Sequence, residues 1–157
     1  MARGRFAGGW NFMSITFVRA AAVALGFTFA SVAAASAAEP TGTWVTKNGD
    51  AHIRVAKCGA AMCGTIAWLR EPIDRATGQP QIDSNNPDPA KRSRKILGLT
   101  IFAVQPDSDG SYVGTIYNAD DGQSYRGKVI RRSPTQLEVQ GCLGVICGSE
   151  IWNVVGR

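Results

Sequence analysis

The sequence predicts an all-β protein, a single eight-stranded antiparallel up-and-down barrel with one long loop. Three observations support this fold class. Short alternating or apolar runs recur along residues 39–157, tight-turn residues separate them, and two Cys-x4-Cys pairs follow an export signal. Eight strands in so few residues would leave vulnerable sheet edges, and closure pairs the first strand with the last. A two-sheet sandwich is the alternative fold.

Alternation and turn chemistry place each strand in order. The predicted strands are Thr43–Thr46, Ala51–Cys58, Cys63–Leu69, Leu97–Val104, Ser111–Tyr117, Gln123–Arg131, Gln136–Cys142 and Glu150–Val155. Asn48-Gly49 and Asp120-Asp121-Gly122 are typical of the tight connections between antiparallel strands. No segment of the mature chain has the pattern of a helix, so we expect a meander in which each strand pairs with the next.

The N-terminus has the three-part pattern of a secretory signal peptide, predicted to cover residues 1–38. Arg3, Arg5 and Arg19 precede an apolar stretch, and small residues ending at Ala38 precede Glu39. The apolar stretch is shorter than the roughly 20 residues that span a bilayer. Residues 39–157 are therefore expected to form one exported barrel domain, located in the periplasm of a Gram-negative-type envelope or secreted.

Charge excludes one class of partner. Of 17 basic side chains the leader removes three, which leaves 14 against 12 acidic ones. A nearly balanced exported domain without a basic helix does not indicate nucleic-acid binding. We expect no cofactor, no metal, no transmembrane segment after cleavage, and a monomer.

The four cysteines permit three disulfide pairings. In an oxidising compartment such thiols are usually bonded. If Ile66 and Trp68 point into the core, alternation puts Cys63 on the outer face, and Cys58 also lies outward on the preceding strand. The same construction applies to the second pair. The sequence alone does not choose among the three pairings, and we predict Cys58–Cys63 and Cys142–Cys147, each across four loop residues. A tetrahedral metal site is the alternative use of these thiols.

The longest interruption, Arg70–Lys95, ends in a basic cluster. Loops of this length are usually functional or disordered, and the two prolines that flank Asp88 indicate order. The cluster consists of Lys91, Arg92, Arg94 and Lys95. Arginine suits carboxylate or phosphate, so an anionic group of a lipid, a sugar acid or a cell-wall fragment is a candidate ligand. Alternatively, the basic side chains pair with Asp83 and Asp88.

Two further patterns have weaker functional alternatives. Asp83, Asn85 and Asp88 resemble an incomplete calcium loop that lacks the glycine and closing glutamate of an EF-hand. His52 is the only histidine, and with no adjacent nucleophile we expect it on a strand surface rather than as a general base.

Together these motifs resemble the bacterial exported family called domain of unknown function 2147. The resemblance rests on Gly42-Thr43-Trp44, Cys58-Gly59 to Cys63-Gly64, Asp83-x-x-Asn86-Pro87-Asp88-Pro89-x-x-Arg92-x-Arg94, Gly98-Leu99, Gly114-x-Ile116-Tyr117, Tyr125-x-x-Lys128 and Trp152. The family would place proline after the second arginine, where this chain has Lys95.

The resemblance implies a lipocalin-like barrel and no established activity. It directs attention to seven possible ligand-binding residues: Asn86, Asp88, Arg92, Arg94, Tyr117, Tyr125 and Lys128. Tyr117 and Tyr125 fit cross-strand packing equally well. A Gly-x-Trp barrel also implies that Trp44 closes one end against an arginine, and Arg157 is the only arginine beyond Trp152.

Two functional hypotheses follow. The first is a periplasmic small-ligand-binding or envelope-interaction module with an anionic-group site at the barrel mouth; if the interior is instead filled by Trp44, Ile53, Ile66, Trp68 and Phe102, the loop acts alone as an interaction surface. The second is a hydrolase that uses Asp83 or Asp88 with a tyrosine or lysine. We favour binding over catalysis and assign no catalytic residue.

Overall fold

The computed structural model of the protein describes residues 38–156, which form a closed barrel of eight antiparallel strands in chain order. The strands are β1 (Gly42–Val45), β2 (Ala51–Cys58), β3 (Ala61–Leu69), β4 (Thr100–Pro106), β5 (Tyr112–Asn118), β6 (Gln123–Ser133), β7 (Gln136–Leu143) and β8 (Ile146–Val154). Strand β8 pairs with β1 and closes the cylinder. The predicted up-and-down barrel is confirmed, and the sandwich alternative is wrong. Residues 1–37 of the predicted leader lie outside the described residues.

The two hairpins that contain the cysteines have shorter turns than the four-residue loops predicted from the sequence. Cys58 pairs with Ala61 and Leu143 pairs with Ile146, so each connection is a two-residue turn. Strands β3 and β8 therefore begin before Cys63 and Cys147, not at or after them as predicted. Strand β4 begins later than predicted because the chain first forms a turn, in which the Leu99 amide donates to the Ile96 carbonyl at 3.0 Å.

The predicted disulfides are confirmed, and they lie at opposite ends of the barrel. Cys58–Cys63 joins β2 and β3 across a diagonal, with 5.8 Å between the Cα atoms. Cys142 and Cys147 face each other directly on β7 and β8, with 4.0 Å between the Cα atoms. Each bridge therefore stiffens one hairpin end.

Trp68 points outward, which corrects the prediction that it belongs to the core. His52 pairs with Trp68 while the next residue of β2, Ile53, pairs with Ile66, so Ala67 is an extra residue in β3. This bulge reverses the alternation. Trp68 is 42 % exposed and its ring lies 4.3 Å from that of His52, whereas Leu69 turns inward against the core.

One end of the barrel is closed by the chain that precedes β1. Trp44 is buried and donates from Nε1 to the Pro40 carbonyl at 2.9 Å. Glu39 is anchored from two strands, by an ion pair with Lys57 and by a hydrogen bond from Arg131 to its carbonyl. The Arg131 guanidinium also lies 6.0 Å from the centre of the Trp44 ring. The arginine on this tryptophan thus comes from β6, while Arg157 lies outside the described residues.

Four connections meet at the other end, which we call the open end. They are the β1–β2, β5–β6 and β7–β8 turns and the long connection of residues 70–99. The long connection contains a 3-10 helix, Pro89–Lys91, and two isolated bridges, Ile73 with Pro80 and Ile82 with Lys95. Within residues 38–156, no helix is long and apolar enough to cross a membrane.

Candidate functional site

A cavity of about 620 Å³ occupies the open half of the barrel. Its deep wall is apolar because the inward-facing residues of the strands alternate with outward-facing ones. This wall is formed by Ile53, Ile66, Leu69, Ile96, Ile101, Ile116, Val139 and Trp152. The closed half, in contrast, is filled by Trp44, Val55, Phe102 and their neighbours. The interior is therefore filled at one end and open at the other.

Strand β8 shows that the cavity is reached by solvent. Alternation from the buried Trp152 places Glu150, Gly148 and Ile146 on the inner face, and all three line the cavity. Every residue from Ile146 to Ile151 is nevertheless exposed, on both faces of the strand. The inner face of this half-strand therefore borders open space, not packed side chains.

Polar groups concentrate at the rim and on one wall. Glu150 is a carboxylate on the inner face of β8, where the Trp152 indole Nε1 donates to its Oε2 at 3.1 Å. The other polar residues that line the cavity are Thr46, Lys47, Asn48, Asp50, Tyr117, Asn118, Asp120, Tyr125 and Ser149. Asp50 is paired with Arg70 at 3.1 Å. The site therefore combines an apolar base with a polar mouth.

A buried carboxylate, Asp83, fixes the long connection to the barrel. Its side chain is 0 % exposed. Oδ1 accepts from the Tyr117 hydroxyl of β5 at 2.6 Å, and Oδ2 accepts from Asn86 Nδ2 at 2.8 Å and from Arg94 Nε at 2.7 Å. The Arg94 guanidinium also lies 5.3 Å from the centre of the Tyr117 ring. We call these four residues the Asp83 cluster.

The cluster satisfies its own charges. Burial raises the pKa of Asp83, but the hydrogen bonds from Tyr117, Arg94 and Asn86 outweigh it and hold that pKa below its ordinary value. Burial and the bond to Asp83 both raise the pKa of Tyr117. At neutral pH the carboxylate is ionised and the phenol is protonated, which suits a structural fastening.

The β5–β6 turn supplies a second attachment. Asn85 Nδ2 donates to the Asp120 carbonyl at 2.8 Å, and a Cβ added to Gly122 would lie 1.9 Å from the Asn85 carbonyl oxygen. The backbone of the β5–β6 turn therefore contacts the backbone of the long connection. The long connection is held against the barrel beside the cavity mouth, and its Ile96 lines the cavity.

The seven residues implied by the family resemblance divide into three groups. Tyr117 and Tyr125 line the cavity, and the Tyr125 hydroxyl donates to Asp121 at 2.5 Å. The four loop residues, Asn86, Asp88, Arg92 and Arg94, lie in the long connection and bond mainly within it. Lys128 pairs with Asp109 at 2.6 Å, near the β4–β5 turn at the closed end. The structure therefore does not bring Lys128 to the mouth.

The loop chemistry follows the bonding that the sequence suggested as an alternative to an anion site. Arg94 pairs with Asp83, and Lys91 pairs with Asp88 at 3.1 Å. Asp88 also caps the 3-10 helix by accepting from the Ala90 amide at 3.0 Å. Arg92 Nε donates to the Asn86 carbonyl at 2.7 Å. The three oxygen side chains of the calcium pattern have separate partners, since Asn85 reaches Asp120 instead of Asp83 or Asp88.

Sequence reasoning missed Glu150 and Gly148 as cavity residues. The signal was present, because alternation from Trp152 places both on the inner face of β8. A charged residue on an inner face is the pattern of a ligand cavity, since a filled core would exclude it. Asp83 was expected to pair with a basic residue, but its burial depends on Tyr117, 34 residues away.

Comparison with known proteins gives a family and a fold. The family model described as "Uncharacterized protein conserved in bacteria (DUF2147)" matches residues 42–154. Among solved structures, protein HP1028 from Helicobacter pylori, described as belonging to the lipocalin family, matches with a TM-score of 0.61 at 20% identity. The match covers 75% of this chain and 84% of that one. No curated protein sequence matches.

Proposed function

Because the chain belongs to the DUF2147 family of uncharacterised bacterial proteins, we propose its function from its own cavity: it binds one small, mainly apolar molecule at the open end. The observation that supports this most directly is the 620 Å³ cavity with an apolar base and a solvent-reached mouth. Ligand sites in proteins typically measure about 300–1,000 Å³ and have mostly apolar walls with a few polar groups.

The wall chemistry suggests an amphipathic ligand. Its apolar part would lie against Ile53, Ile66 and Ile116, where burial from water supplies the affinity. Glu150 has one carboxylate oxygen fixed by the Trp152 indole, and a hydrogen-bond donor or cationic group of the ligand suits this carboxylate. The two mouth tyrosines offer aromatic faces beside it.

The Asp83 cluster supports the mouth and is not the centre of a reaction. A general acid or base needs a pKa near the working pH and an open side toward its substrate. Asp83 is fully buried, accepts three hydrogen bonds and has a lowered pKa. These features favour binding over the hydrolase hypothesis.

We also propose a location for the protein and a position for an anionic group of its ligand. The two disulfides are consistent with an exported protein, which supports a periplasmic or secreted location. An anionic group of an envelope molecule at Arg92 is compatible with the exposed position of that side chain at the long connection. The charged residues that line the cavity are three carboxylates and Lys47, and its base is apolar, so we place the apolar part of the ligand in the cavity and the anionic group at Arg92.

Titration with the neutral fluorescent probe N-phenyl-1-naphthylamine tests the proposal. A Gly148→Phe variant places a ring in the cavity, because an added Cβ at this inner-face position meets no atom within 4 Å. Thr115→Phe is the matched control, since it adds the same ring to an exposed position on the outer face of β5. We expect saturable probe binding to wild type and to the control, and loss of at least about tenfold in affinity for Gly148→Phe.

Equal probe affinity in all three proteins would refute cavity binding, as would no saturable binding by folded wild type. The anionic analogue 1-anilinonaphthalene-8-sulfonate addresses the arginine proposal separately. If Arg92→Ala lowers the affinity for the anionic probe and leaves the affinity for the neutral probe unchanged, an anionic group binds at the long connection. If neither affinity changes, the proposal of an anion site at Arg92 is wrong, while the proposal of binding in the cavity stands.

A further inference from the structure

The β7–β8 hairpin ends in an exposed aliphatic tip at the cavity mouth. Its three side chains, Leu143, Val145 and Ile146, are 62%, 98% and 77% exposed. We call them the aliphatic tip. Exposed aliphatic residues are ordinary when scattered, but here Val145 lies in the two-residue turn and Leu143 and Ile146 flank it as a pair, which concentrates apolar surface at one point.

The strands behind the tip are crosslinked. Cys142 and Cys147 are bonded directly behind it, on strands that pair without interruption from Gln136 to Leu143. Gly144 forms the turn with φ of +63°, a conformation that glycine adopts without strain. The disulfide and the continuous strand pairing therefore support the exposed position of the aliphatic tip.

The small apolar area of the tip indicates what kind of partner it can bind. A stable protein interface buries roughly 800 Å² on each side, far more than three aliphatic side chains supply. Insertion into the boundary between lipid headgroups and acyl chains needs only a small apolar projection, because each buried methylene adds to the partition free energy. A bilayer surface therefore fits the tip better than a folded protein does.

The charges around the open end indicate whether the tip would favour an anionic bilayer. Those at the rim and beside the hairpin are Lys47, Arg70 and Arg126, and Asp50, Asp120, Asp121 and Glu150. The rest of the long connection brings the total at this end to eight basic side chains, including Lys91, Arg92, Arg94 and Lys95, against eight acidic ones. The open end therefore has no excess of basic side chains and offers no net electrostatic attraction to an anionic membrane. Attraction would come from apolar burial alone and would change little with salt.

The tip is continuous with the cavity, since Leu143 and Ile146 line both. We propose that the aliphatic tip docks the barrel on a lipid bilayer with the cavity mouth facing the acyl region. Docking goes beyond ligand binding and does not depend on it. If the cavity binds an apolar molecule as proposed above, this orientation lets the molecule pass from the bilayer into the cavity along the hairpin.

Vesicle flotation tests the docking. The full chain is expressed with its leader, purified after export and checked for its N-terminus by mass spectrometry, then mixed with phosphatidylcholine vesicles. We expect wild type to float with the vesicles at low and at high salt. Val145→Asp should lower the vesicle-bound fraction about tenfold, and Val145→Phe should raise it. Thr115→Asp, which adds the same charge to the outer wall, should float as wild type does.

Three outcomes would overturn the proposal. Wild type that stays with the aqueous fraction shows no docking, and flotation only with anionic vesicles that high salt abolishes shows electrostatic binding elsewhere. A concentration-dependent dimer of wild type that Val145→Asp converts to monomer, measured by sedimentation, assigns the tip to a second copy. Probe titration of the same variants is read separately, so loss of docking with intact probe binding leaves the cavity function standing.

Discussion

The Tyr117 hydroxyl donates a 2.6 Å hydrogen bond to the buried Asp83 carboxylate and so joins strand β5 to a connection 30 residues long, residues 70–99. Asp83 also accepts from Asn86 and Arg94 of the same connection. A loop of this length would ordinarily be mobile. Here the ionised Asp83 side chain accepts hydrogen bonds from three donors, and these bonds hold the loop against the barrel beside the cavity mouth.

Replacement of Tyr117 by phenylalanine removes one donor to Asp83 and leaves a buried carboxylate less satisfied. We expect the free energy of unfolding to fall by about 1–3 kcal/mol, measured by urea denaturation. Tyr125→Phe is the matched control on the neighbouring strand, because its hydroxyl bonds to the exposed Asp121. Its loss should cost less than about 1 kcal/mol. Equal losses for both variants would contradict the assignment of Asp83 as the fastening.

Acid should weaken the protein partly through Asp83. A carboxylate whose pKa is lowered by folding contributes stability above its unfolded pKa, about 3.9, and loses it as the pH falls through the folded pKa. An Asp83→Asn variant lacks this contribution. We therefore expect it to be less stable than wild type at pH 7, with the difference shrinking as urea midpoints are measured from pH 5 towards pH 2. A difference that stays constant with pH would show that folding does not lower the pKa of Asp83.

Two glycines with the same left-handed backbone should differ in their tolerance of alanine. Gly122 has φ of +71° and lies against the Asn85 carbonyl, whereas Gly144 has φ of +63° and open space around it. Gly144→Ala should cost about 1 kcal/mol for the backbone strain alone. Gly122→Ala must also separate the β5–β6 turn from the long connection, so we expect a loss larger by at least about 1–2 kcal/mol. Thermal or urea unfolding of the two variants side by side makes the comparison, and equal losses would show that the turn and the loop are not in close contact.

The two disulfides should separate stability from binding. Each closes a short loop, so replacing either pair by serine should cost less than about 3 kcal/mol of unfolding free energy. Cys142–Cys147 supports the hairpin at the mouth, whereas Cys58–Cys63 lies at the closed end. We expect weaker binding of N-phenyl-1-naphthylamine only in the Cys142→Ser/Cys147→Ser variant. An unchanged affinity there would show that the hairpin does not shape the cavity.

The barrel was predictable because its determinants are local. Alternation along segments such as Ala51–Cys58, and glycine-containing turns such as Asn48-Gly49, act on neighbouring residues and give strand number and order directly. The same alternation favoured the observed disulfide pairing but did not exclude the other two pairings. The position of Trp68 was not predictable, since one extra residue at Ala67 reverses every later side chain of that strand.

The site was only partly predictable because its contacts are distant in sequence. The sequence indicated that Arg94 or its neighbours pair with Asp83, but not that Tyr117 joins them. Whether the barrel interior is filled depends on the summed volumes of side chains from eight strands, which no local pattern contains. The register of β6 likewise determines at which end of the barrel Lys128 lies, and it places Lys128 beside Asp109 at the closed end.

By itself, therefore, the amino-acid order determined an oxidised, helix-poor meander with a leader pattern at its start, since backbone alternation, turn formation and thiol spacing are properties of adjacent residues. Tertiary structure alone decided that one end of the cylinder is closed by Trp44 and the other left open, that Asp83 is buried among three donors, and that the tip around Val145 is exposed. These outcomes depend on strand register and packing, in which residues far apart in the chain share one volume.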